Sequence, residues 1–123
     1  MTQTNIAIWQ PQTEREVSEM KHSAGLYGAG VIEVWDCAQL DGLIARHGSL
    51  VSIEQDTHAV PLANFNHPES GLYLIGPMNG SIPRSIRDLG RIVVVETQSE
   101  FPLKPSVAGA IVLHDRHVQK VNA

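Results

Sequence analysis

The chain has 123 residues, 42% of them hydrophobic, and a single cysteine, Cys37. That length suits one domain with its own core, and one cysteine excludes an internal disulfide framework or a cysteine-rich zinc site. Nine Lys and Arg against 13 Asp and Glu give a net charge of −4, without the basic excess typical of nucleic-acid-binding modules. Any such contact would need a local basic patch or a second chain, with six histidines able to add positive charge below about pH 6.5. No apolar run reaches the length of about 18 residues that a transmembrane helix needs. Met1 to Asn5 lacks the basic start of a secretion signal. The expectation is one domain over 1–123, with no membrane span, in a reducing, cytoplasmic setting.

Asn5 to Trp9 is a short apolar run ending at Gln10-Pro11, which predicts a strand. Thr13 with Glu16 three residues later forms a capping-box pattern. Val17, Met20, Ala24 and Tyr27 follow at helical spacing, and Gly28 and Gly30 end that helix. Val31 to Trp35 reads as a second strand, Asp36 to Arg46 as a short amphipathic helix closed by Gly48, and Leu50 to Ile53 as a third strand. Residues 55–70, with Pro61 and Pro68, read mostly as loop. Gly71 to Gly76 is a buried-type strand, and Pro77 to Ser81 a turn-rich loop. Pro83 to Leu89 fits a short helix, Arg91 to Glu96 a strand, 97–105 a loop, and Ser106 to about Val118 a helix. Five apolar strands alternating with helices predict an α/β fold with a mostly parallel sheet covered on both faces.

Generic motifs add little. No Walker or Gly-x-Gly-x-x-Gly loop follows a strand, and Ser81 and Ser106 sit in no nucleophile elbow. His114 and His117 share a helix face but lack a third metal ligand, so an exposed face is the better reading and no metal is expected. Cys37 has no accompanying catalytic signature and reads as a plain buried cysteine. Ligands of a parallel α/β sheet bind at the carboxyl ends of strands, which here are Glu54-Gln55, Gly76-Pro77-Met78 and Val95-Glu96.

From Asn5 to Lys120 the chain resembles the SpoU/TrmH branch of the SPOUT methyltransferases. The resemblance is carried by His67-Pro68-Glu69 through Leu74-Ile75-Gly76 and Ile82-Pro83, then by Leu103, Ser106 to Leu113 and Asp115-Arg116-His117-Val118. Thr13-Glu14, Ser23-Ala24, Leu26 and Gly28-Ala29 support it in the first half. It implies a SPOUT-type fold with a deep C-terminal trefoil knot, a rare exception to unknotted chains, threaded from about Leu72 to the last helix. Close backbone approach would fall at Gly76, Gly80 and Gly109. It also implies a homodimer with the site at its interface, S-adenosylmethionine as cofactor, and transfer of methyl to a ribose 2′-hydroxyl of tRNA or rRNA. Glu54, Gly76, Pro77, Val94, Val95, Leu103 and Ala108 would hold the cofactor, largely through backbone shape.

Four polar positions of the family pattern differ here. His22, beside Lys21, stands where the family has an arginine, and Glu16 where it has an asparagine. Met78 replaces a glutamate, and Lys104, followed by Pro105, replaces an asparagine. Two readings follow from the resemblance. In one, His22 orients or deprotonates the hydroxyl, Lys104 shares the catalytic site, and Arg15 and Lys21 bind RNA phosphate. In the other, catalysis is lost and the knotted dimer binds cofactor, RNA or a protein without transferring methyl. With no appended RNA-binding domain, recognition would fall to the dimer itself or to a helper.

Overall fold

The computed structural model describes residues 4–78, 80–99 and 103–122. Asn79 of the turn-rich loop and residues 100–102 of the following loop lie outside them. Six strands, β1 (Asn5–Trp9), β2 (Gly30–Val34), β3 (Ser49–Ile53), β4 (Val60–Pro61), β5 (Gly71–Ile75) and β6 (Arg91–Val94), form one sheet. Its order is β2-β1-β5-β3-β6-β4, and every pairing is parallel. The α/β class and the sheet direction match the sequence reading. The addition is β4, which pairs Val60 and Pro61 with Val93 and Val94 at the sheet edge. Two residues give no periodic signal, and the edge tolerates a proline that has no N–H for a second neighbour.

Alternation along the strands sorts the core into two layers. Ile6, Ile8, Val51, Ile53, Tyr73 and Ile75 face one side, where Val17, Met20 and Ala24 of α1 (Glu14–Gly25) meet Ala108, Val112 and Leu113 of α4 (Pro105–Val121). Ala7, Trp9, Leu50, Leu72 and Leu74 face the other. There they meet Leu40 of α2 (Cys37–His47) and Ile86 of α3 (Arg84–Arg87). Helix α4 lies so close to the sheet at Gly109 that a Cβ there would sit 2.6 Å from Met20 Sδ and 3.0 Å from Ile6 Cδ1. Of the three glycines expected at close approaches, Gly109 is the tightest; Gly76 has ordinary van der Waals room, 3.5 Å to its nearest neighbour. Cys37 is exposed, not buried: it is the first residue of α2, one turn ahead of Leu40, where the helix enters the core.

The two longest family-like stretches meet at the N-terminal edge of the sheet. His67, buried, is 2.8 Å from the Tyr73 hydroxyl through Nδ1 and 2.7 Å from Asp115 through Nε2. Gln119 donates to Phe65 O and to Asp115, and Arg116 donates to the carbonyls of Pro68 and Glu69. This clamp ties α4 to the entry of β5. His114 joins it on the helix surface, its Nδ1 3.1 Å from the Tyr27 hydroxyl, with His117 also against the Tyr27 ring. Burial, only partly opposed by Asp115, holds the His67 imidazole below its usual 6.5; burial, only partly opposed by Arg116, pushes Tyr73 up to about 12.

Folding therefore resists a proton on His67 that the unfolded chain accepts. Stability from this group is complete above pH 6.5 and is lost as pH falls through the lower folded value. His67→Ala should cost about 1–3 kcal/mol by stranding Tyr73 and Asp115. It should also remove that part of the decline between neutral and mildly acid pH, as read from urea unfolding midpoints.

Candidate functional site

Because every strand runs the same way, all carboxyl ends share one edge. The chain leaves β3 at Glu54, β5 at Gly76 and β6 at Val95, and these three exits surround a cavity of about 240 Å³. Its walls include all seven residues expected from the resemblance to hold cofactor: Glu54, Gly76, Pro77, Val94, Val95, Leu103 and Ala108. Gln55, Met78 and Thr97 complete its polar and flexible rim. Gln55 falls at a strand exit that the sequence marks for ligands, whereas Thr97, a polar residue in the loop beyond β6, gives no signal of its own.

The loop after β5 is pinned from inside the cavity. Ile82 N–H donates to Glu54 Oε2 at 2.9 Å, so the half-buried carboxylate holds the end of the 76–82 segment against β3. Just beyond, Asp56 accepts from His58 N and pairs with Arg87 at 2.7 Å and Arg84 at 3.0 Å. The backbone hydrogen bond from His58, and then the two guanidiniums, keep its carboxyl below the usual range despite burial. Asp56 thereby fixes α3 beneath the same loop.

A second cavity of about 230 Å³ adjoins the first and shares one lining residue with it, Met78. Helix starts build its walls. Thr13, Arg15, Glu16 and Glu19 come from α1, and Lys104, Pro105 and Ser106 from the head of α4. Thr13 caps α1 as the sequence suggests, accepting from Glu16 N at 3.1 Å. The reciprocal bond is displaced by one residue: Glu16 Oε2 accepts from Gln12 N at 2.8 Å. Its other oxygen accepts from Met78 N at 3.4 Å. Glu19 pairs with Arg15 at 3.0 Å and accepts from Ser106 Oγ at 3.3 Å.

Of the remaining sequence-derived candidates, Lys104 and Arg15 line this second cavity. Lys21 and His22 line neither; both are exposed toward the far end of α1. The helix rises about 1.5 Å per residue, so six residues carry His22 well past Glu16, which does reach the cavity. Within one chain, His22 is not positioned to touch anything held there. Among the described residues no group of three His, Cys, Asp or Glu side chains could hold a metal, and no helix is long and apolar enough to cross a membrane.

No protein-family model and no curated protein matches the sequence. Solved structures do match in three dimensions. A TrmH/SpoU tRNA-modifying enzyme from A. aeolicus superposes with a TM-score of 0.82 at 12% identity, over 99% of this chain and 77% of that one. An RNA 2′-O ribose methyltransferase superposes at 0.83 with 14% identity, over 98% of this chain and 57% of the other. This chain has the SpoU/TrmH fold. The SpoU methyltransferase AviRb from Streptomyces viridochromogenes, in complex with AdoMet, matches at 0.76 and 17% identity, over 97% of this chain and 58% of that one.

Glu54→Ala should free Ile82 N–H and loosen the rim of the first cavity. Amide hydrogen exchange should then quicken across residues 80–82, by the factor that corresponds to losing a hydrogen bond of about 1.5–3 kcal/mol to a charged group, and stay unchanged in the clamp around His67.

Proposed function

We propose that this protein is an S-adenosylmethionine-dependent RNA 2′-O-methyltransferase. The observation that carries this reading is the cavity at the ends of β3, β5 and β6, whose walls gather all seven expected cofactor residues. The donor set suits such a cofactor. Apolar side chains of Val94, Val95 and Leu103 would flank a flat ring, the backbone at 76–78 would offer N–H and C=O groups to its edge, and Glu54 would accept from hydroxyls. S-adenosylmethionine supplies a methyl group on a positively charged sulfur. The chain supplies orientation, which can be worth about 7–11 kcal/mol of a two-reactant barrier, and a neighbouring cavity open to an acceptor.

Arg15 and Lys104, at the mouth of the second cavity, are the cations placed to meet a phosphate. The same reading makes the protein a homodimer and the segment from about Leu72 through α4 a trefoil knot. An unpartnered stripe supports the dimer. Val107, Ile111, Val118 and Val121 follow one another along α4 at helical spacing and are 41%, 38%, 40% and 68% exposed, a seam suited to a second copy of the helix. A pairing of that kind would also offer Lys21 and His22 of one chain to RNA bound at the other.

Two measurements test this. Calorimetry should detect S-adenosylmethionine binding by the wild-type protein and its loss in Leu103→Asp; no heat at millimolar cofactor would refute the reading. Light scattering should give twice the 13.4 kDa chain mass, and Ile111→Glu should return it to the mass of one chain, since an unpaired charge in an apolar contact costs several kcal/mol.

A further inference from the structure

The two cavities touch at Met78, so a methyl group passing from a donor in one to an acceptor in the other crosses there. Glu16 is the ionisable group at that crossing, with Oε1 3.4 Å from Met78 N. The other charged groups lining the second cavity are Arg15 and Glu19 on α1 and Lys104 at the head of α4. Arginine and a lysine ammonium have no acceptor. Glu19 is engaged by the Arg15 guanidinium through one oxygen and by Ser106 through the other. Glu16 is held by two backbone N–H groups, from Gln12 and Met78, which fill about half the acceptor sites of a carboxylate. It is thus fixed in place while keeping room to accept from a hydroxyl.

We infer that Glu16 is the catalytic base, receiving the proton of the acceptor hydroxyl; this rests on the methyl-transfer reading. The hydroxyl oxygen bonds to the methyl carbon as the carbon–sulfur bond breaks, and the electron pair stays on sulfur. The hydroxyl proton passes to the Glu16 carboxylate, which then releases it to water. The carboxylate at this position also sets the class of acceptor. It receives a hydrogen-bond donor and repels an anion, so the reacting hydroxyl faces Glu16 while a phosphate of the same RNA faces Lys104 and Arg15.

The experiment compares wild type, Glu16→Gln and Glu16→Ala in single-turnover transfer of labelled methyl to bulk tRNA and rRNA across pH, with cofactor affinity measured in parallel by calorimetry. In Glu16→Gln, cofactor affinity should remain within about threefold, while the rate falls by about 100-fold or more and its dependence on pH flattens. Glu16→Ala, which loses the bond to Met78, should weaken cofactor binding as well. A smaller rate loss in Glu16→Gln, or a loss matched by its cofactor affinity, overturns the assignment by making Glu16 only an anchor of the Met78 loop. A wild-type protein that binds cofactor and transfers nothing overturns the proposed function, and this assignment with it; that result appears in the wild-type arm alone.

Discussion

Strand β5 hydrogen-bonds to β1 on one side and β3 on the other, although three strands and two helices separate it from β1 along the chain. Everything at the site depends on that insertion. It brings the exit of β5 beside those of β3 and β6, so that three loops from distant parts of the sequence line one cavity. Parallel pairing puts all their free ends on the same edge, where the sheet no longer satisfies backbone groups and leaves them for a ligand. The clamp of His67, Tyr73 and Asp115 secures the opposite end of β5 to α4. Helix α4 in turn presents its own first residues, Lys104 to Ser106, beside the start of α1.

Much of this was legible in the residues. Apolar runs located five of the six strands, and the stripe of Val17, Met20 and Ala24 located α1. The resemblance picked out seven of the cavity-lining positions, because a site made of backbone turns leaves its mark in glycines, prolines and small apolar residues. Side-chain chemistry was harder to read. Sequence order placed His22 in the catalytic role by alignment, yet reach along a helix depends on rise and rotation, and the α1 residues that arrive at the cavity are Arg15, Glu16 and Glu19. The His67-Pro68-Glu69 and Asp115-Arg116 stretches stood out in sequence, but they serve the clamp rather than the cavity. Cys37 shows a related limit, since the usual preference of a free cysteine for burial does not say where a residue at the very start of a helix lies.

The acidic balance of the chain takes a specific form in the structure. Two of its carboxylates, Glu16 and Glu19, line the second cavity, where a site devoted to phosphate would carry cations alone. One is neutralised by Arg15 and the other is fixed by backbone N–H groups. Affinity for RNA would then come from a few cations at the cavity mouth and from a second chain, with a correspondingly shallow dependence on salt.

The most direct measurement is a crystal structure of the protein soaked with the demethylated cofactor, S-adenosylhomocysteine. The adenine should lie between Val94, Val95 and Leu103, with the sulfur turned toward Met78 and Glu16. A ligand bound elsewhere, or one whose sulfur points away from the second cavity, would contradict methyl transfer between the two cavities.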